Sequence, residues 1–510
     1  MRELLNATGS HSRRPDVSFD GGDLDCGGGL LLLIRRHIDP MPRGGLLEIL
    51  STDTSVEGDL PAWCRLTGNE LVSWTKSGRQ RSYLVCKGAL AERAAAPSTI
   101  QQPPSTKSLR VRPVIPASLP PAAPAPPIAP LSIMGIGSWP RPRWMLQAIH
   151  ERLEGRIAEA DYQATADDSV RLAVEAQLRA GVDVVTDGEQ RRDSYSSFVG
   201  GLLDNCQLIP LTDLTAMVDD REKFEKELRA LDVPAAAVRH PVVFGPLGRS
   251  RPFAVHELEF VRKLTGKPVK VALPGPYLLT RTMWLDCLTD RPYATREALA
   301  TDIVRVLREE LHGLLAAGAS LVQFDEPVLT EVVFTGAKTQ RSFMCGALSE
   351  KKAAGEELAF ARDLLNAVVA GLPRERVAVH MCRGNWTRDE AAALTGDYRP
   401  LLDLLKSVNV GTLFLELCTP RAGEMEVLRE LPADRRIGVG VVNQKLDSVE
   451  SAAHIAAHMR RALDLFGRER VLFTPDCGFA TFADNPVASA QVAEAKLRAV
   501  ATARDTLRGA

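Results

Sequence analysis

The chain has 510 residues, 45% hydrophobic and 25% charged, with a formal net charge of −1. That length calls for more than one domain, and the near-neutral charge offers no electrostatic footprint for nucleic acid or an anionic membrane. The longest apolar run near the start, GGGLLLLI, is too short to cross a bilayer and follows an acidic stretch, unlike an export signal. The 9 cysteines are scattered and odd in number, so they read as thiols or metal ligands of a cytoplasmic protein, not a disulfide framework.

Residues 15–90 read as strand, helix, strand, helix, strand, strand, a small α+β two-layer sandwich expected over 1–93. The apolar strand GGLLEILSTD leads into DLPAWCRLTGNELVSW. In DCGGGLLLLIRR, Cys26 stands where the first helix is expected to open. A cysteine there gains thiolate character from unpartnered N–H groups and the helix dipole. The phrase LEILSTDTSVEGDLPAWCRLTGNELV resembles the TusA-like sulfurtransferase family, whose sulfur-accepting cysteine opens its first helix as Cys-Pro-x-Pro. Both prolines are glycine here, which fixes helix entry less firmly. The resemblance implies that Cys26 carries a persulfide and that a sulfur-relay protein is a partner. The alternative is an adaptor domain whose cysteine is incidental. Cys64 and Cys86 read as core.

Residues 94–130 are rich in Pro, Ala and Ser. That composition buries no core and favours extended polyproline-like backbone, so it reads as a linker. At ~3.1 Å per residue when extended, it is long enough to bring the small domain to the mouth of the next one.

From 131 to 510 the chain is expected to be α/β. Short apolar runs alternate with helical stretches such as ATREALATDIVRVLREELHGLLAAG. The runs are LSIMGIGS (131–138), VDVVTDGE (182–189), VKVALPGP (269–276), LVQFDEP (321–327), VAVHMC (377–382), TLFLELC (412–418), IGVGVVN (437–443) and VLFTPDCG (471–478). Buried strands joined by long crossovers imply a parallel sheet, and eight of them predict a (β/α)8 TIM barrel. An insertion near 208–260 is expected to form loops and short helices.

Nearly every run ends in polar residues: Ser138, Glu189, Asp325-Glu326, His380-x-Cys382, Glu416-x-Cys418, Asn443 and Asp476-Cys477. Barrel strand ends converge on one face, where active sites lie. Residues i and i+2 share a strand face, so His380 and Cys382 point together. With Cys477 and a carboxylate they make a tetrahedral N/S/O set suited to Zn2+. On spacing, Glu416 and Cys418 are equally able to reach. A second pair, His454 and His458, has helical i, i+4 spacing but reads as a solvated helix face outside the barrel.

The ordered set IGS, DGE, DEP, HMC, LEL and PDCG resembles the catalytic barrel of the cobalamin-independent methionine synthase family, over roughly 131–508. That resemblance implies zinc on His380, Cys382, Glu416 and Cys477. It also implies homocysteine against Ile136, Gly137 and Ser138, with its amino group near Glu189 and Asp325. Salt bridges to Arg191 and Arg192 are the competing role for those two carboxylates. The implied activity is zinc-dependent methyl transfer from a small-molecule donor to a thiol.

Two departures bear on the donor. The full-length folate-using enzyme carries a second barrel ahead of the catalytic one, for which the preceding region is too short. It also has a proton-donating histidine after strand seven, where VVNQKLD places Lys445. HMCRGNW and TPRAGE look closest to the short, single-barrel members. One relative adds coenzyme M to epoxides by the same zinc–thiolate logic, but a sulfonate thiol calls for Arg or Lys, whereas carboxylates suit an amino thiol. A sulfur-trafficking protein that holds zinc and thiols without turnover is the non-enzymatic alternative.

Overall fold

The computed structural model describes residues 11–24, 26, 30–95, 111–153, 155–210, 239–285, 292–334, 352–385 and 387–508. The two largest apolar clusters, one in each unit, organise them.

The N-terminal core lies under a four-stranded sheet of order β1-β2-β4-β3. Its strands are β1 (Val17–Asp20), β2 (Leu46–Ser51), β3 (Glu70–Ser77) and β4 (Gln80–Cys86). Strand β1 pairs parallel to β2, and β4 runs antiparallel to both β2 and β3. Helices α1 (Leu31–Ile38) and α2 (Val56–Thr67) supply Ile34, Leu60 and Trp63 to the core with Phe19, Ile49 and Tyr83. Gly68 ends α2 in the left-handed region, at φ 70°, where glycine carries no Cβ penalty.

The larger unit is built on six parallel strands in the order β12-β11-β10-β9-β8-β7. These are β7 (Lys270–Pro274), β8 (Leu321–Asp325), β9 (Val377–Met381), β10 (Thr412–Leu415), β11 (Arg436–Val442) and β12 (Val471–Pro475). Two further extended segments join the sheet's edges. Ile133 bridges Phe473 of β12, Met134 bridges Val184, and Val185 bridges Val269 beside β7, all in parallel. Eight strand positions thus form a closed ring with no free edge.

Alternation along the strands separates two apolar clusters. Val377, Val379, Leu413 and Leu415 pack outward with the helices. Met134, Ile136, Leu321, Ala378, Phe414 and Leu472 make a small cluster in the ring's interior. The period-two rule then carries the interior face upward, from Leu321 to Gln323 to Asp325 and from Ala378 to His380 to Cys382.

Two expectations need correction. The insertion is not only loops and short helices: β5 (Asp204–Pro210) and β6 (Arg239–Gly248) form an antiparallel pair, followed by a helix at Val255–Leu264. Residues 211–238 between them lie outside the described residues. This pair meets the small domain: Gln207 Nε2 donates to Arg35 O and Asp39 Oδ2, and the Arg36 guanidinium lies 4.5 Å from the Phe244 ring centroid.

The proline-rich linker is also not a free tether over its described part. Residues 111–130 have no regular structure, yet they form a strap whose backbone atoms are hydrogen-bonded to the larger unit. Ala123 N donates to Leu315 O, Arg376 Nη1 to Ala123 O, and Arg436 Nη1 to Ile128 O. Arg376 and Arg436 stand at the starts of β9 and β11, so the strap crosses the floor of the ring. Residues 96–110 lie outside the described residues.

Candidate metal centre

Strand β9 ends at Met381 and lifts His380 and Cys382 to the top of the ring; Cys477 follows β12 by two residues. One ligand atom from each of His380, Cys382 and Cys477 lies within 4.8 Å of the others. Among the described residues this is the one group of three or more His, Cys, Asp or Glu side chains so arranged. All three are buried, and His380 Nε2 has no hydrogen-bond partner.

The local electrostatics favour thiolate at one sulfur. The hydrogen bond from the Cys477 thiol draws Cys382 down to about 7 against burial, with help from neighbouring His380. The same bond and burial push Cys477 well up. On the far side of the imidazole, His380 Nδ1 lies 2.8 Å from Asp325 Oδ1. Burial disfavours the imidazolium, but the bond to Asp325 together with the charges of Asp325 and Cys382 outweighs it, and the net shift of His380 is upward.

Glu416 is fully buried but is not in the three-residue group. Its Oε2 accepts from Arg383 N at 2.8 Å and from Asn385 Nδ2, and its Oε1 accepts from Arg421 Nη1. Its charge is nonetheless felt at both cysteines. Cys418 also stands outside the group. Burial and the neighbouring Asp476 push its thiol well up. Asp476 Oδ1 holds the Leu417 and Cys418 N–H groups at 2.9 and 3.0 Å.

The segment Ile136–Ser138 enters the same hollow, whose lining includes Ile136, Ser138, Glu189, Asp325, His380 and Cys477. Glu189 sits against Gly137, where any Cβ would collide with its Oε1. Its backbone is left-handed, at φ 55°, an uncommon conformation for a side-chain-bearing residue that tends to mark functional sites. Burial raises its carboxyl to about 7, and Oε2 has no partner. The competing salt bridges do not form: Arg191 pairs with Asp167 and Arg192 with Glu257. Asp325 Oδ1 accepts from Gln323 Nε2 at 2.7 Å and lies 2.8 Å from His380 Nδ1. Adjacent Glu326 turns away and accepts from Tyr277 N and Leu278 N, at the start of a helix.

Lys445 is buried and donates to Asp389 O at 3.0 Å. Burial and then Arg421 lower its pKa, with Cys477 among the groups opposing them. Cys26 is 4% exposed within the small domain's core. Residues 27–29, between it and α1, lie outside the described residues. His454 is exposed on the helix Ala452–Phe466. Tyr195 and Thr481 also line the hollow, and Arg141 ties Glu189 O to Ala480 O; no strand-end pattern marked them.

A family model for the cobalamin-independent synthase catalytic domain matches residues 131–502. The chain belongs to this family. Among curated relatives, the methionine synthase of Saccharolobus solfataricus is 25% identical over 353 residues, 69% of this chain and 88% of that protein. The methionine synthase of Sulfolobus acidocaldarius is 27% identical over 344 residues, 67% and 84% respectively. In structure, a B12-independent methionine synthase from a Shewanella species, solved with selenomethionine, superposes with a TM-score of 0.56. It is 24% identical and covers 75% of this chain and 98% of that one, a likeness that speaks for the fold. All three matches fall short of the full chain. The family match begins at Leu131, so the small domain and the strap lie outside it. For a cobalamin-independent synthase domain, a buried His/Cys group at the strand ends of a closed parallel ring is the natural place to look for chemistry. No described helix is long and apolar enough to cross a membrane.

Proposed function

We propose that the chain is a zinc-dependent homocysteine S-methyltransferase of the methionine synthase type, working at the top of a (β/α)8 barrel. The observation that carries this reading is the His380, Cys382 and Cys477 group, with ligand atoms within 4.8 Å. Its unpartnered His380 Nε2 and two sulfurs are the donor types that zinc takes in closed or open tetrahedral sites. Glu416 is the fourth candidate, and it must exchange its Arg421 contact to join them. Bound there, zinc would hold a substrate sulfur as thiolate, where a free thiol of pKa ~8.5 is mostly protonated.

The chain's own residues bind and orient. Ile136, Gly137 and Ser138 cradle the amino-acid end of the substrate. Glu189, whose Oε2 is unpartnered, accepts from its ammonium, and Asp325 adds negative charge from behind His380. Two buried carboxylates fit an amino thiol better than a sulfonate thiol. Lys445, with its lowered pKa, is the proton donor or acceptor at the mouth.

The small domain is read as TusA-like. A sulfur-carrying role for Cys26 requires its 4% exposed side chain to open to solvent, so the adaptor role suits this structure better. Incubation with a persulfide donor and mapping of adducts tests that: a stable adduct at Cys26, lost in Cys26→Ala, would restore the carrier role.

The test of the main reading is product formation. Purified protein loaded with zinc should convert homocysteine to methionine with a methyl donor found by screening, read by mass spectrometry. Turnover of coenzyme M with an epoxide, and none of homocysteine with any donor, would sink the reading.

A further inference from the structure

We propose that Lys270 and Gln323 are positioning residues that fix the tautomer of His380 and bind the substrate cradle to the metal site. Neither lies at the upper, C-terminal end of its strand, and neither is among the residues that line the hollow. Lys270 is wholly buried at the start of β7, and Gln323 is wholly buried one interior rung below Asp325.

The side chains form an unbroken chain across the ring. Lys270 Nζ donates to Gln323 Oε1 at 2.6 Å. Gln323 Nε2 donates to Asp325 Oδ1 at 2.7 Å. That same oxygen lies 2.8 Å from His380 Nδ1. Each link constrains the next. Lys270 Nζ directs its hydrogens to Ile136 O and Gln323 Oε1, so the amide turns its oxygen to Lys270 and its NH2 to Asp325. With an amide N–H on one side, Asp325 Oδ1 acts as acceptor, and His380 Nδ1 carries the hydrogen. The lone pair is then on Nε2, the atom without a partner beside the two cysteines. A ligating imidazole commonly takes its tautomer from the hydrogen bond at its other nitrogen.

Lys270 has a second grip. Its Nζ also donates to Ile136 O at 2.7 Å, the carbonyl at the base of the Ile136–Ser138 segment. The Phe414 ring, 4.5 Å from Nζ, closes the remaining side as a cation–π neighbour. One amino group therefore holds the cradle backbone and, through two side chains, the imidazole. Phe414 has its space because Gly438 on β11 carries no Cβ, which would strike the ring.

The inference rests on reading His380, Cys382 and Cys477 as a metal site, and the experiment separates the two. Full-length parent, Gln323→Met, Gln323→Glu and Lys270→Met are compared. The first readout needs no metal: 15N shifts of the His380 ring in metal-free, histidine-labelled protein. The parent should show one tautomer, hydrogen on Nδ1, and Gln323→Met a mixture. The second is Zn2+ affinity by chelator competition, with the absorption spectrum of the Co2+ form. Gln323→Met should bind Zn2+ ~10-fold more weakly or worse with an altered cobalt spectrum, while melting close to the parent. Gln323→Glu keeps the acceptor for Lys270 and loses the amide donor to Asp325, so it should also weaken binding. The double variant Lys270→Met with Gln323→Met should lose no more than the larger single effect, because a cut chain cannot be cut twice. Folded Gln323 variants with the parent's tautomer and affinity would overturn the proposal, as would additive losses in the double variant. A parent that binds no Zn2+ but shows the single tautomer would instead refute the metal reading and leave the chain standing.

Discussion

At the scale of residues, the site divides into ligands, anions and their supports, and each can be removed separately. Cys477→Ser replaces a sulfur donor with a hydroxyl that ligates poorly at neutral pH. The parent should purify with about one zinc per chain and this variant with little, as measured by elemental analysis; full retention would remove the mechanism. Glu416→Ala should lower metal affinity and stability together, since it strands the Arg383 N–H and Asn385 amide that it now satisfies. Such a loss costs about 1–3 kcal/mol for each buried group left unpaired. Cys418→Ala should change metal affinity little, and the reverse ranking would assign the fourth position to sulfur. Glu189 carries a pH signature. Burial lifts its carboxyl from 4.5 to about 7, so the folded protein holds this proton more tightly than the unfolded chain. Its contribution to stability is full below the unfolded pKa and is lost as pH rises through about 7. Glu189→Gln cannot ionise, and its denaturant midpoint should fall less between about pH 5 and about pH 8. An ammonium opposite Glu189 needs the carboxylate form. The parent's KM for homocysteine should therefore drop as pH rises through that range, while the variant's stays flat and ~10-fold higher. Equal profiles would place the ammonium elsewhere.

At the scale of elements, the strands show why part of this molecule was legible in sequence and part was not. Polar residues closing apolar runs betrayed the top of the ring, because packing gives no reason to end a buried strand with His-x-Cys or Asp-Cys. Period two then put His380 and Cys382 on one face, and the ligand group agrees. What spacing could not supply is the partner of each group. Glu416 and Cys418 share a face, and only the positions of Arg421 and Asp476 distinguish their environments. Asp325 and His380 both stood at strand ends, but spacing did not show that they touch. The strap looked like a tether because its contacts are mostly made by backbone atoms, which composition does not encode. Lys270 was visible, a charge inside the apolar run VKVALP, but such a residue gains meaning only with its neighbours across the ring. The β11 glycines are a related case. Gly440 leaves room for Asp476, whose Oδ1 a Cβ would strike. Gly440→Ala should displace that carboxylate from the Leu417 and Cys418 N–H groups and cost ~1–3 kcal/mol as overpacking. Urea unfolding reads the loss, and a neutral substitution would mean that Asp476 is free to move.

At the scale of the whole molecule, metal binding and folding should be linked. His380, Cys382 and Cys477, the candidate ligands, sit at the ends of two strands far apart in sequence, and an unfolded chain does not hold them together. A metal held at a hundred times its Kd adds about 2.7 kcal/mol to unfolding. Chelator treatment should accordingly lower the melting temperature of the parent and leave Cys477→Ser unchanged. If both shift equally, the metal acts elsewhere. The ring's closure carries a further consequence, for the order in which the protein is made. The seam is the pairing of Ile133 with Phe473, and it joins the first extended segment of the larger unit to its last strand. On a ribosome, the small domain emerges first and has its own core, so it is free to fold while the rest is still being translated. The ring has no such option. Its opening segment must wait, one edge unpaired, until β12 has been synthesised. Cys477 lies just beyond that final strand, so the polypeptide that shuts the seam also delivers the last sulfur. A nascent chain stalled before residue 471 should therefore expose an open sheet edge to chaperones and capture no zinc, while a full-length chain acquires both closure and metal in one late event.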